Sequence, residues 1–132
     1  EGADFSEANL GGANFSGANL SRAVFKGAQL WSANLTDADL SGAFFEGGSL
    51  STKNGVGDVL PANFSGANLD GATLNFAGVN ARKVNFAGVN LEGADFSEAN
   101  LGGANFSGAS LRGVNLKGAN IKDANTAGVR WV

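Results

Sequence analysis

The sequence predicts an all-β solenoid, a single domain over residues 1–132 in which the chain turns a corner every five residues. Three observations predict it. A Phe or Leu stands at every fifth position from Phe5 to Leu50. An Ala precedes each of them by two positions, except that Gly48 precedes Leu50. Asn or Asp is the commonest residue between the two, and the other positions collect mainly Ser, Gly, Glu, Thr, Lys and Arg.

A period of five excludes the two regular alternatives. A helix repeats its face about every 3.6 residues and a strand repeats its face at every second residue. On a helix Phe5, Leu10 and Phe15 would therefore point to different sides, and on a long strand they would alternate between opposite faces. A chain that bends after every fifth residue points the large residue and the preceding Ala inward, and leaves Ser- and Gly-rich pairs at the corners. Disorder does not reserve every fifth position for a large apolar side chain.

The repeating unit, seen in Ala8-Asn9-Leu10 and its copies, resembles the pentapeptide-repeat family. The resemblance covers nearly the whole chain. It implies a right-handed quadrilateral parallel β-helix with four pentapeptides per coil and about six coils. The spacing by itself indicates only the corner every five residues.

Four units per coil would place every twentieth residue on the same face. Aromatic rings stacked from coil to coil are favourable. We therefore expect one column of Phe side chains and a neighbouring column of Leu side chains that ends in a Trp. The expected columns are Phe5, Phe25, Phe45, Phe64, Phe86 and Phe106, and Leu10, Leu30, Leu50, Leu69, Leu91, Leu111 and Trp131.

The repeat loses its phase at two segments, residues 51–61 and 75–83. The first has polar and Gly residues where an Ala and a Leu are expected. Either one face is made there with a residue missing, or the chain bulges outward, and the expected Phe column favours the missing residue. The second segment contains two extra residues at Asn75-Phe76.

Irregular units of a solenoid often carry binding. We therefore predict a candidate interaction loop from the two irregular segments. The alternative is that both are merely tolerated and that the basic pair in the second segment is a solvated corner. The candidate residues are Lys53, Asn54, Val56, Asp58, Arg82 and Lys83.

Internal duplication is visible at two scales. Residues 1–18 recur identically at 92–109, and the hexapeptide at 75–80 recurs at 85–90. Identical copies cannot each be tuned to a different ligand, so this pattern favours a regular framework.

The composition removes most catalytic chemistry. The chain has no His and no Cys, which excludes His- and Cys-based nucleophile systems and the corresponding metal sites. Asp4, Asp39 and Asp95 occupy the position where Asn stands in most repeats, and a short polar side chain there is expected to bond the local backbone. We expect no catalytic residue, cofactor or metal, and no enzyme.

The leading functional interpretation is a noncatalytic structural or interaction module whose partner is another protein. The alternative, which the family resemblance suggests, is a DNA mimic that binds a type II topoisomerase such as gyrase and protects it from quinolones. A DNA mimic requires a broad negative surface. Residues 1–70 hold 8 acids and 3 bases, but residues 71–132 hold 4 acids and 6 bases, which disfavours it. We expect no nucleic-acid partner and no membrane span.

The ends of the repeat suggest one further partner. A solenoid that stops in mid-repeat exposes an apolar cross-section and strand edges, which favours end-to-end homo-oligomers. We expect Trp131 to act as a partial lid over the last coil, unless the chain continues into further coils or a cap.

Overall fold

The computed structural model describes residues 2–52 and 59–132, and these residues form a four-sided parallel solenoid. Residues 20 apart pair in parallel bridges, as in Asp4 with Val24 and Asn9 with Gln29. Twenty residues at five per side give four sides, so the predicted all-β repeat solenoid is confirmed. Two strands are long enough to be named, β1 (Phe44–Glu46) and β2 (Thr73–Asn75), and they pair in parallel.

The four sides are numbered here in chain order as the first to fourth faces, beginning with the face of Asp4. The other described sides pair through single residues, because a face leaves room for only a few extended residues between corners. The third face carries the most uniform ladder, in which every paired residue is an Asn. Its rungs are Asn14, Asn34, Asn63, Asn85, Asn105 and Asn125.

The corners are closed locally. At the first described corner the backbone N–H of Ala8 donates to the carbonyl of Phe5 at 3.0 Å. Asp4 Oδ1 accepts from the backbone N–H of Ser6 at 2.9 Å, and Asn at the same place in other repeats does likewise. The second corner residue has a positive φ, which Gly17 adopts freely at 67° and Glu7 adopts at 60° with some strain. This requirement accounts for the frequent Gly at the second corner position.

The core fills the inside of the solenoid with the two inward positions of each repeat. Phe25 and Ala28 are 1% and 2% exposed. In the first coil the corresponding large side chains, Phe5, Leu10 and Phe15, are only half-buried.

The Phe side chains form two stacks, so the single predicted column is wrong. Phe5, Phe25 and Phe45 stack on the first face at centroid distances of 5.3 and 4.9 Å. Phe64 belongs to the third face, where Phe86 and Phe106 follow it at 5.3 and 5.5 Å. Phe45 meets Phe64 only edge-on, at 6.0 Å and 70°.

The Leu column is divided in the same way. Leu10, Leu30 and Leu50 lie on the second face, whereas the paired residues next to Leu111 and Trp131 belong to the fourth face. Trp131 is 48% exposed on the last described rung of that face. The predicted continuous column from Leu10 to Trp131 is therefore wrong.

The first irregularity is an addition of residues to one coil. Asn34 pairs with Asn63, which is 29 residues further on instead of 20, so this coil holds nine additional residues. They are residues 51–59, because Leu60 takes the next regular corner position and its carbonyl accepts from the N–H of Ser32. The N–H of Ala62 donates to the carbonyl of Leu50 at 2.8 Å and closes the corner as in a regular repeat. The preferred interpretation, a face with one residue missing, is therefore wrong. The two cases look alike in the sequence, because nine added residues shift the phase of a five-residue repeat by the same amount as one missing residue.

The second irregularity lengthens the first face by two residues. Leu74 lies opposite Phe45 of the preceding coil. Phe76, two residues later, faces the following coil, where the backbone carbonyl of Asp95 accepts from the N–H of Phe76 at 2.7 Å. Phe76 then stacks on Phe96 at 5.3 Å. The two extra residues thus belong to the first face of this coil.

Candidate functional site

The corner column between the second and third faces, which we call the insertion edge, carries large apolar residues at corner positions that are small or polar in most repeats. In each coil it consists of two consecutive residues. Backbone hydrogen bonds connect successive pairs at four of the five steps, as from Gly12 to Trp31 and from Lys83 to Gly102. The pairs are Gly11-Gly12, Trp31-Ser32, Leu60-Pro61, Arg82-Lys83, Gly102-Gly103 and Lys122-Asp123.

An open groove of about 600 Å³ lies on this edge, and we call it the insertion groove. Its lining is mostly apolar, with Trp31 and Leu60 as its large side chains and Asn9, Gln29 and Thr52 around them. Leu60 is 42% exposed, although Leu50 and Ala62 on either side of its corner are buried in the core. The groove therefore presents apolar surface to solvent on the wall of a protein whose other corners are mostly polar or Gly.

The Trp31 indole is held by a close approach to the preceding coil. A Cβ placed on Gly11 would lie 2.1 Å from the Cε2 of Trp31, so the ring lies directly over the Gly11 backbone. Only Gly allows this contact without movement, and one wall of the groove depends on it.

Hydrogen bonds to the next coil secure the start of the insertion. In a regular repeat the N–H of the second corner residue donates to a backbone carbonyl of the next coil, but Pro61 has no N–H. The Ser51 hydroxyl donates instead to the carbonyl of Arg82, and the Asn80 side-chain amide donates to the carbonyl of Thr52. Ser51 is fully buried. The rim of the groove is thus connected to the Arg82 corner.

Below the insertion groove the same edge is basic. Arg82, Lys83 and Lys122, which we call the basic cradle, surround an indentation of about 250 Å³ over Gly102-Gly103. A Cβ on Gly103 would lie 3.1 Å from the Cγ of Lys83, so the Lys83 chain extends across the space that the glycines leave. Asp123 is the one acid among the described residues of this edge.

Two of the other edges mix their charges, and the edge between the third and fourth faces carries, in the described part of the chain, Asp37 alone. Lys26 Nζ lies 3.9 Å from Glu46 Oε2, and Arg112 Nε lies 3.7 Å from Glu92 Oε1. The outward residues of the second and third faces, which flank the insertion edge, are uncharged Asn, Gln and Ser. The insertion edge is consequently the one edge on which the described bases outnumber the described acids.

The acids that sequence analysis singled out have structural roles. The Ser6 hydroxyl, with the Ser6 backbone N–H, lowers the pKa of Asp4, and Ser41 does the same to the pKa of Asp39. The backbone N–H and hydroxyl of Ser97 lower the pKa of Asp95. Each Asp thus serves as a corner hydrogen-bond acceptor. Residues 2–52 and 59–132 contain no cluster of three or more acids suited to hold a metal ion. Nor do they contain a helix with the length and apolarity that a membrane crossing requires.

The structure brings part of the predicted interaction loop into one place. Lys53, Asn54, Val56 and Asp58 lie outside the described residues, whereas Arg82 and Lys83 lie on the insertion edge directly after the rung of Leu60. The two irregular segments, which are separate in sequence, therefore meet.

Sequence reasoning missed Trp31, Leu60 and Lys122. Two of these could have been found from the sequence, because Trp31 and Leu60 are large apolar residues at a corner position where most repeats carry a small or polar one.

Comparison with known proteins gives a family match over most of the chain. The family described as Pentapeptide repeats matches residues 3–42, 13–51, 62–101, 75–113 and 90–125, with 8 copies. No curated protein has a matching sequence.

Solved structures of similar proteins include three of interest. HetL from the cyanobacterium Nostoc, a pentapeptide repeat protein involved in heterocyst differentiation regulation, is 30% identical with a TM-score of 0.58, over 96% of this chain and 63% of its own. QnrB1, a plasmid-mediated fluoroquinolone resistance protein, is 20% identical with a TM-score of 0.44, over 97% and 65%. A pentapeptide repeat protein from the cyanobacterium Cyanothece is 25% identical with a TM-score of 0.33, over 99% and 89%. The chain thus spans less than two thirds of the length of the first two.

Proposed function

Because the chain belongs to the pentapeptide-repeat family, we propose that it is a noncatalytic protein–protein interaction module whose binding surface is the insertion edge. The described residues suit such a role. Each coil is hydrogen-bonded to its neighbours over most of its perimeter, so the outward side chains keep a constant spacing. A partner can therefore bind without first ordering the surface.

The observation that carries the proposal is the exposed apolar surface of the insertion groove. Among the described residues four large hydrophobic side chains are exposed, and Ile121, Trp131 and Val132 all belong to the last coil. Leu60 is the one that lies on the wall, and it adjoins Trp31. An apolar patch rimmed by polar residues is typical of a protein-binding site, and Trp is enriched among residues that dominate binding energy.

The DNA-mimic alternative receives less support from the charge distribution. The outward ladder of the third face is six Asn and the adjacent edge carries the basic cradle. A surface that imitates duplex DNA would need rows of acids at these places.

The experiment is a partner capture with matched variants. The protein and its Trp31→Ser/Leu60→Ser variant are used as baits in a lysate of the native organism, with Lys26→Ser/Lys117→Ser as the control. Ser is an ordinary residue at this corner position, as at Ser16 and Ser41, so all three baits should fold. We expect a protein that the wild type and the control retain and the double variant loses, as identified by mass spectrometry. Equal capture by all three baits would contradict the insertion edge as the binding surface.

A further inference from the structure

The insertion edge combines two features that recognise one kind of ligand. The insertion groove offers an apolar slot between Trp31 and Leu60. The basic cradle follows along the same edge and is bordered by uncharged faces. A ligand that satisfies both must carry a large apolar group and, at a fixed distance from it, negative charge.

The distance between the two features suits an extended peptide. Successive rungs of a parallel ladder are about 4.8 Å apart, so the three steps from the Leu60 rung to the Lys122 rung span about 14 Å. An extended chain rises about 3.3 Å per residue and covers this distance in four to five residues. A short linear segment can thus place one side chain in the groove and its acids over the cradle.

We propose that the insertion edge binds an extended acidic peptide segment of a partner protein, with one large apolar side chain in the insertion groove and its carboxylates over the basic cradle. The inference rests on the proposed function and specifies its partner. Charge complementarity selects this occupant: the described part of the edge holds three bases and one acid in a chain whose net charge is −3. The polar flanks, with side-chain amides on both faces, leave no row of acids to repel it.

The test uses a fluorescein-labelled synthetic peptide of about eight residues, long enough to span both features. It carries a Leu near one end followed by Glu and Ser residues. A second peptide replaces the Glu residues by Gln, and a third replaces the Leu by Ser. Binding is followed by fluorescence anisotropy at several salt concentrations.

We expect the first peptide to bind, and each of the other two to bind at least about tenfold more weakly. The Arg82→Gln/Lys83→Gln/Lys122→Gln variant should lose at least about tenfold in affinity for the first peptide, together with most of the salt dependence. The matched control, Lys26→Gln/Arg112→Gln/Lys117→Gln, makes the same change in net charge on other edges and should bind within about twofold of wild type. Trp31→Ser should weaken the first peptide but not the third.

Several results would overturn the inference. Equal losses in the two triple variants would mean attraction by net charge alone. An oligothymidylate of equal charge that bound as tightly as the peptide would identify a general polyanion surface. Self-association abolished by Trp31→Ser in sedimentation experiments would assign the groove to a second copy of this chain. If partner capture depended on the groove but the acidic peptide did not bind, this inference would fail and the proposed function would stand; if capture were also insensitive to the groove, both would fail.

Discussion

Residues 1–18 and 92–109 are identical in sequence, and their described parts, 2–18 and 93–109, form the same local structure in different surroundings. Glu7 and Glu98 both have a φ of 60°. The N–H of Ser6 donates to Asp4 and the N–H of Ser97 donates to Asp95, both at 2.9 Å. Yet Phe5 is only half-buried in the first coil, whereas Phe96 is completely buried between coils.

The two copies also occupy the same faces. They are 91 residues apart, which is four regular coils together with the nine and two additional residues of the irregular segments. Phe5 and Phe96 therefore both lie on the first face, and the second copy continues the first in register. Corner geometry is therefore a property of the segment itself, whereas burial depends on the coils above and below.

The largest effect should come from removing the same ring in the two copies. Phe96→Ala should lower the free energy of unfolding by about 3–5 kcal/mol, because it leaves a cavity in a stack that the ring shares with Phe76. Phe5→Ala should cost about half of that or less, since the ring is already partly exposed. Urea unfolding followed by circular dichroism measures both. Equal losses would contradict the assignment of burial to the neighbouring coils.

A smaller effect is expected at the paired glycines Gly11 and Gly102. Gly11→Ala should lower the free energy of unfolding by about 1–2 kcal/mol, because the new methyl group overlaps the Trp31 ring. In a Trp131→Phe background it should also shift the Trp31 fluorescence. At Gly102 the nearest atom to a new Cβ would be Asn100 Oδ1 at 3.3 Å, so Gly102→Ala should change stability by less than about 0.5 kcal/mol. An unchanged fluorescence in Gly11→Ala would show that Trp31 does not rest on Gly11.

The smallest effect should be equal in the two copies. Hydrogen bonds from Ser6 and Ser97 hold the pKa values of Asp4 and Asp95 below the ordinary 3.8. A lowered pKa in the folded state stabilises above pH 3.8 and loses that contribution as the pH falls through the folded-state value. Asp4→Asn and Asp95→Asn should each make the melting temperature slightly less sensitive to acid, and by similar amounts. A response in Asp95→Asn alone would mean that burial, not the local corner, controls these acids.

Much of the fold followed from the sequence, but the candidate site did not. Arg82 and Lys83 were identified as an unusual pair, yet their position beside the insertion depends on the hydrogen bond from Ser51 to the Arg82 carbonyl, 31 positions away. Trp31 is an isolated departure from the repeat in sequence, and it becomes part of a groove only because Leu60 follows it on the same edge. Neither relation is visible without knowing the number of residues in each coil.

Three features could be predicted from the repeat pattern: the corner at every fifth residue, the inward Ala and Phe or Leu, and the Asn or Asp that accepts from the corner N–H. These features depend on contacts within a few positions, as between Asn14 and Ser16 or Ala8 and Phe5. Which rings stack and which corners meet depends instead on contacts between coils. A shift in the phase of a five-residue repeat defines the number of inserted or deleted residues only to within a multiple of five. The hydrogen bonds between coils, such as the pairing of Asn34 with Asn63, select nine added residues over one lost residue and thereby place Trp31, Leu60 and the basic cradle on one edge.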